Sequence, residues 1–139
     1  MSPGICTNAN LFRVDTRGRC LSLDHDQSFA NLLASRGFDV YLYHPGYSDR
    51  VHNRYVGRHC PESIHYKRRY RVPAAYNYGE LINVEVPAVI DFVRTYSGCR
   101  AISWIGYSLG GMVAYSYLAK YPANPIKNLV TIASPMALN

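Results

Sequence analysis

Gly106-Tyr107-Ser108-Leu109-Gly110 follows the apolar run Ala101-Ile102-Ser103-Trp104-Ile105 and opens a helix-like stretch, Met112-Val113-Ala114-Tyr115-Ser116-Tyr117-Leu118. A serine between two glycines at a strand-to-helix junction is the pattern of a nucleophile elbow. The turn is so sharp that side chains two positions either side of the serine have no room, so Gly106 and Gly110 are expected to be glycines for steric reasons. Ser108 then stands above the sheet edge at a helix N-terminus, where the Leu109 backbone N–H points at any oxyanion formed nearby. At ordinary Gly and Ser usage the bare pattern arises by chance in roughly one chain of this length in twenty. The preceding strand, Gly111 and the helical run up to Lys120-Tyr121-Pro122 therefore carry the reading.

The flanking sequence supplies alternating helices and strands. Asp26-Gln27-Ser28 can cap a helix with Phe29, Leu32 and Leu33 on one face, ended by Gly37. Asp39-Val40-Tyr41-Leu42-Tyr43 is expected as a short strand closed by His44-Pro45-Gly46. Asn77 and Glu80 form a capping-box pattern before a helical stripe of Ile82, Val86, Val89, Ile90 and Val93, with Gly98 as its stop. Pro87 must bend that helix or restart it. After the elbow helix, Asn128-Leu129-Val130-Thr131-Ile132-Ala133 is expected as a buried strand. The alternation predicts an α/β fold with a parallel sheet and flanking helices. Ligands bind at the carboxyl ends of such strands, where Ser108, His44 and Ser134-Pro135 are expected to lie.

Composition narrows the function classes. The 139 residues, 48% of them hydrophobic, make one globular domain over 1–139. No apolar run is long enough to cross a bilayer, and Met1-Ser2-Pro3-Gly4 lacks the basic start and apolar segment of a signal peptide. A soluble protein is expected, its compartment open and the cytoplasm the default. Cys6, Cys20, Cys60 and Cys99 form no C-x-x-C pair, so buried or free thiols are expected, and no metal. His59-Cys60 with His65 can be imagined as metal ligands, but buried or free thiols are the preferred reading.

The net charge of +6 is concentrated in one segment. Arg50, Arg54, Arg58, Lys67, Arg68, Arg69 and Arg71 interleave with Tyr47, Tyr55, Tyr66 and Tyr70, a composition able to bind phosphates or stack bases. No nucleic-acid module accompanies it, so a solvated, tyrosine-anchored loop is the preferred reading. The irregular stretch at about 47–76 is too long for an ordinary connection, which makes it an insertion or lid-like segment.

These motifs together resemble the α/β-hydrolase fold family, nearest its lipase and esterase side, over nearly the whole chain apart from the basic segment. Asp26 to Tyr43 resembles the helix and strand that bacterial lipase-like hydrolases place before a glycine-containing loop. Glu85-Val86-Pro87-Ala88-Val89-Ile90-Asp91-Phe92-Val93 resembles the proline-bearing helix of the acid lipase branch and, more distantly, of polyhydroxyalkanoate synthases. Those synthases carry cysteine where this chain has Ser108. Pro3-Gly4-Ile5 resembles the His-Gly-x oxyanion loop of lipases, with proline in place of the histidine. The resemblance implies a carboxylic-ester hydrolase with Ser108 as nucleophile, the Leu109 and Ile5 amides as oxyanion donors, a small-molecule or lipid ester as substrate, and no cofactor. His44-Pro45-Gly46-Tyr47-Ser48-Asp49 departs from the arginine- and glycine-rich loop that the family often has there.

The family's serine is followed in the chain by an acid and then a histidine. Residues 109–139 contain no Asp, Glu or His. His44 is the candidate for an internal base, with Asp49 to orient it, whereas His25 between Asp24 and Asp26 belongs to a helix start. A second gap is expected: the strand that in the family precedes the oxyanion loop, between the strands ending at Tyr43 and Ile105, has no counterpart, leaving those two without a shared partner. Leu11-Phe12-Arg13-Val14 is a short candidate for the slot. Both gaps suggest an internal piece of a longer hydrolase with unpaired, aggregation-prone edges. A non-catalytic remnant or binding module, and a related acyltransferase, are the alternatives.

Overall fold

The computed structural model describes residues 1–4, 12, 28–43, 45 and 77–136. Helix α1 (Phe29–Ala34) starts where Ser28 accepts a hydrogen bond from the Asn31 amide, and Gly37 follows it at φ 87°. Asn77 and Glu80 exchange both hydrogen bonds of a capping box and launch α2 (Tyr78–Glu80). A π turn (Leu81–Glu85) leads directly into α3 (Val86–Ser97), with Pro87 in its first turn. Pro87 has no N–H to donate to Asn83, and its ring would press on that residue's carbonyl in a regular helix. The Val86 amide reaches back five residues to the Leu81 carbonyl instead, so the helix restarts through a widened turn. Gly98, at φ 71°, ends α3 in the left-handed conformation that favours glycine.

Replacing Asn77 by alanine removes the acceptor for the Glu80 amide. The expected loss is about 1 kcal/mol of stability, read by urea denaturation.

Strands β1 (Ile102–Tyr107) and β2 (Ile126–Ile132) pair in parallel, with α4 (Leu109–Lys120) crossing between them. The register slips between Ile102 and Ser103, whose partners are Ile126 and Asn128. Lys127 is therefore an extra residue in β2, and the broken alternation hides the strand's first two positions from a sequence reading. The strand also stops at Ile132, because Ala133 turns to φ 50°.

One face of the pair carries α3 and α4. Val86 and Ile90 from α3, Trp104 from β1 and Ala114 from α4 are buried in one core cluster. Each fully buried aliphatic side chain there contributes about 1.5–3 kcal/mol. Tyr117 completes that core beside Tyr121, and burial, with Asp91 beside it, pushes its phenol above the ordinary range.

Three expectations about the strands need correction. The strand at 128–133 is not buried: β2 carries no buried residue, and Val130 and Ile132 are 49% and 41% exposed. Residues 39–43 form no strand: their backbone meets Met1, whose nitrogen donates to the Tyr41 carbonyl and whose carbonyl accepts from the Tyr43 amide. A ladder one residue long is too short for a strand. The shared partner expected to be missing is also present. The Ser2 amide donates to the Ile105 carbonyl and the Tyr107 amide donates to the Ser2 carbonyl, a parallel bridge from Ser2 to Gly106. Met1 and Ser2 thus lie between the 41–43 segment and β1. Of the alternative filler, Leu11, Arg13 and Val14 lie outside the described residues, and Phe12 is a buried residue packed on Phe29.

Candidate functional site

The carboxyl end of β1 stops at Ser108, which adopts φ 50° and ψ −118°. A side chain at such angles is strained by about 1–3 kcal/mol and persists only where its surroundings hold it. They do so from both sides. The Ser108 amide donates to the Ile132 carbonyl at 2.8 Å, tying the turn to β2. Its carbonyl accepts from Gly111 and Met112 at 3.0 and 3.2 Å, tying it to α4.

The glycines flanking the turn are required by contact. A Cβ on Gly106 would lie 2.5 Å from the Gly111 nitrogen and 2.6 Å from the Gly110 carbonyl carbon. One on Gly110 would strike the Ser2 carbonyl oxygen and lie 2.7 Å from that of Pro3. Gly4 is equally tight: its Cβ would be 2.9 Å from Ser108 Cβ and 3.3 Å from Ser108 Oγ. The Pro3-Gly4 loop therefore runs directly beside the serine.

The Leu109 and Gly110 amides open α4, where helix geometry offers them no carbonyl partner. Together with the helix dipole they make this a position for negative charge. Among the described residues, Ser108 Oγ has no hydrogen-bond partner. Ile5, the expected second oxyanion donor, lies outside the described residues, as do His25, His44, Asp49 and the basic segment 50–71. So do the thiols of Cys6, Cys20 and Cys60, while Cys99 is a free, exposed thiol. No group of His, Cys, Asp or Glu able to hold a metal ion occurs among the described residues. None of their helices is long and apolar enough to cross a membrane.

Three details escaped the sequence reading, which marked Gly111 but not the contact that requires it. Ala133 is the other non-glycine residue at positive φ among those described, and it follows Ile132, the register partner of Tyr107. Two strained residues thus sit side by side at the strands' carboxyl ends. Gly111 is needed because a Cβ there would collide with Ser134, whose hydroxyl donates to the Ile132 carbonyl at 3.1 Å. Trp104 Nε1 donates to the Gly110 carbonyl at 3.1 Å, inside the core. The one available signal was Ser134-Pro135 directly after an apolar run; the other contacts join residues whose pairing no local pattern encodes.

A parallel strand pair, a helix launched from a positive-φ serine and a glycine loop beside that serine define an α/β protein whose candidate site lies at the carboxyl ends of its strands. The chain belongs to the alpha/beta hydrolase fold family, whose model matches residues 4–139. It is similar to Lipase member M of Mus musculus, 28% identical over 111 residues, and to that of Homo sapiens, 29% identical over 111 residues. Each alignment covers 78% of this chain and 24% of the relative, so the chain spans about a quarter of their length. No solved structure matches it significantly.

Proposed function

We propose that the protein is a serine hydrolase of carboxylic esters, lipase- or esterase-like, with Ser108 as its nucleophile. The observation that carries the reading is Ser108 itself, held at φ 50° at the start of α4. Family membership and the similarity to Lipase member M support the substrate class. Ser108 Oγ attacks the ester carbonyl, and the oxyanion is received by the Leu109 and Ile5 amides. Collapse expels the alkoxide, which takes up the proton that left Ser108, and water then cleaves the acyl-enzyme to acid and free serine. His44 is this chain's candidate for the base that carries the proton. A small-molecule or lipid ester fits this chemistry. Transfer of the acyl group to an acceptor other than water uses the same steps.

The test is phosphonylation by a fluorophosphonate, followed by mass spectrometry. The expected adduct lies on the Ser108 peptide and is absent from Ser108→Ala. Leu109→Pro removes one oxyanion N–H at the first helical position, where that N–H has no helical partner, and its ring also presses on Ser108, whose ψ of −118° lies outside the range a residue before proline adopts. In protein that circular dichroism shows to be folded, it is expected to slow phosphonylation about 100- to 1,000-fold. Full reactivity of that variant excludes the Leu109 donor.

A non-catalytic remnant is the second reading. The Ser108 hydroxyl has no hydrogen-bond partner among the described residues, which favours it. A folded wild-type chain that gives no Ser108 adduct establishes it over the hydrolase.

A further inference from the structure

We infer that Trp104 is a positioning residue for Ser108, acting through its indole hydrogen bond to the first turn of α4; the inference rests on the reading of Ser108 as nucleophile. Trp104 lies on β1 two residues before Gly106 and is 4% exposed. Its Nε1–H is a donor only, and a buried donor must find an acceptor. The acceptor is the Gly110 carbonyl, in the turn whose Gly111 amide bonds the Ser108 carbonyl.

The strained serine is therefore pinned from two directions. On the sheet side, its amide is held by the Ile132 carbonyl. On the helix side, the indole ties β1 to α4 across the turn. A first helical turn has few internal hydrogen bonds of its own and frays readily. Pinning it keeps the Leu109 amide aimed, as an oxyanion donor must be before the reaction begins.

The indole is itself held in place. The Tyr43 ring packs against it with centroids 6.2 Å apart and planes inclined at 58°. The Tyr43 hydroxyl donates to Glu85 Oε2, at the end of the π turn. A line of contacts thus runs from Glu85 through Tyr43 and Trp104 to the elbow glycine. Widened turns of this kind often occur at functional sites.

Two substitutions separate positioning from packing. Trp104→Phe keeps a six-membered aromatic ring but has no donor. Trp104→His puts Nε2–H at the place the indole Nε1–H holds in its five-membered ring, and loses the rest of the indole volume. If Trp104 only filled space, the histidine variant would be the worse on every measure. The expected result crosses: at pH 8 the phenylalanine variant melts higher, yet is phosphonylated at Ser108 about tenfold more slowly than the histidine variant, roughly the value of one hydrogen bond.

Amide hydrogen exchange supplies a readout that needs no reaction. Gly111 and Met112 are expected to exchange about tenfold faster in Trp104→Phe than in Trp104→His. Equal exchange and equal phosphonylation in the two variants overturn the inference. A wild-type chain that takes no fluorophosphonate refutes the nucleophile reading alone, and the exchange rates still decide whether the brace exists.

Discussion

Ser108→Gly is expected to abolish fluorophosphonate labelling while making the protein more stable. The two effects share one cause. Serine at φ 50° and ψ −118° carries a steric cost of about 1–3 kcal/mol that glycine does not. Glycine gives back about 0.5–1 kcal/mol through the greater freedom of its unfolded chain. The net gain is about 1 kcal/mol, or a rise in melting temperature of about 4 °C for a domain of this size. Ser108→Ala separates the terms, because it removes the hydroxyl and keeps the Cβ. It is expected to lose the label and melt close to the wild type. A glycine variant that melts below the alanine variant would show that no strain is stored at this position.

The largest loss of stability is expected from Gly110→Ala and Gly106→Ala. Helix propensity alone predicts that alanine at position 110, inside α4, stabilises by about 1 kcal/mol. Contact predicts the opposite sign. The new methyl would meet the Ser2 and Pro3 carbonyls, which are backbone and cannot rotate away. At position 106 it would meet the backbone of Gly110 and Gly111 and push α4 off the sheet. Overpacking against fixed backbone costs about 3 kcal/mol or more. Gly98→Ala is the control, since its Cβ meets nothing within 4 Å and only the φ of 71° opposes it. About 1 kcal/mol is expected there. Urea denaturation of the three variants checks the ranking, and a Gly106 variant as stable as the Gly98 variant would remove the tight turn from the account.

Both predictions concern one turn, and its strain and crowding have a common consequence. The chain holds Ser108 where an unconstrained serine would not go, and does so with contacts from β2, α4 and the Pro3-Gly4 loop. Such strain is characteristic of functional sites. Among the described residues the serine hydroxyl has no hydrogen-bond partner.

What the amino-acid sequence determined by itself is everything set by neighbours along the chain. Ser28 and the Asn77–Glu80 box start helices because a side chain one turn away can reach an orphan amide. Gly98 stops one because only the left-handed conformation closes it. Pro87 disturbs its helix because it lacks an N–H. The glycine–serine–glycine pattern marked the turn, and parallel pairing followed from the alternation of helix and strand.

The tertiary structure alone decided which distant groups meet. Met1 and Ser2 have no strand-like pattern, yet they occupy the place between residues 41–43 and β1, because hydrogen-bonding backbone needs no particular side chain. The extra residue at Lys127 shifts β2 against β1, and Ala133 turns to positive φ beside Ser108. Trp104 looked like any core residue until its N–H was placed on the Gly110 carbonyl. Local hydrogen bonds and steric limits can be read from spacing along the chain, whereas these contacts depend on how strands and helices are brought together in space.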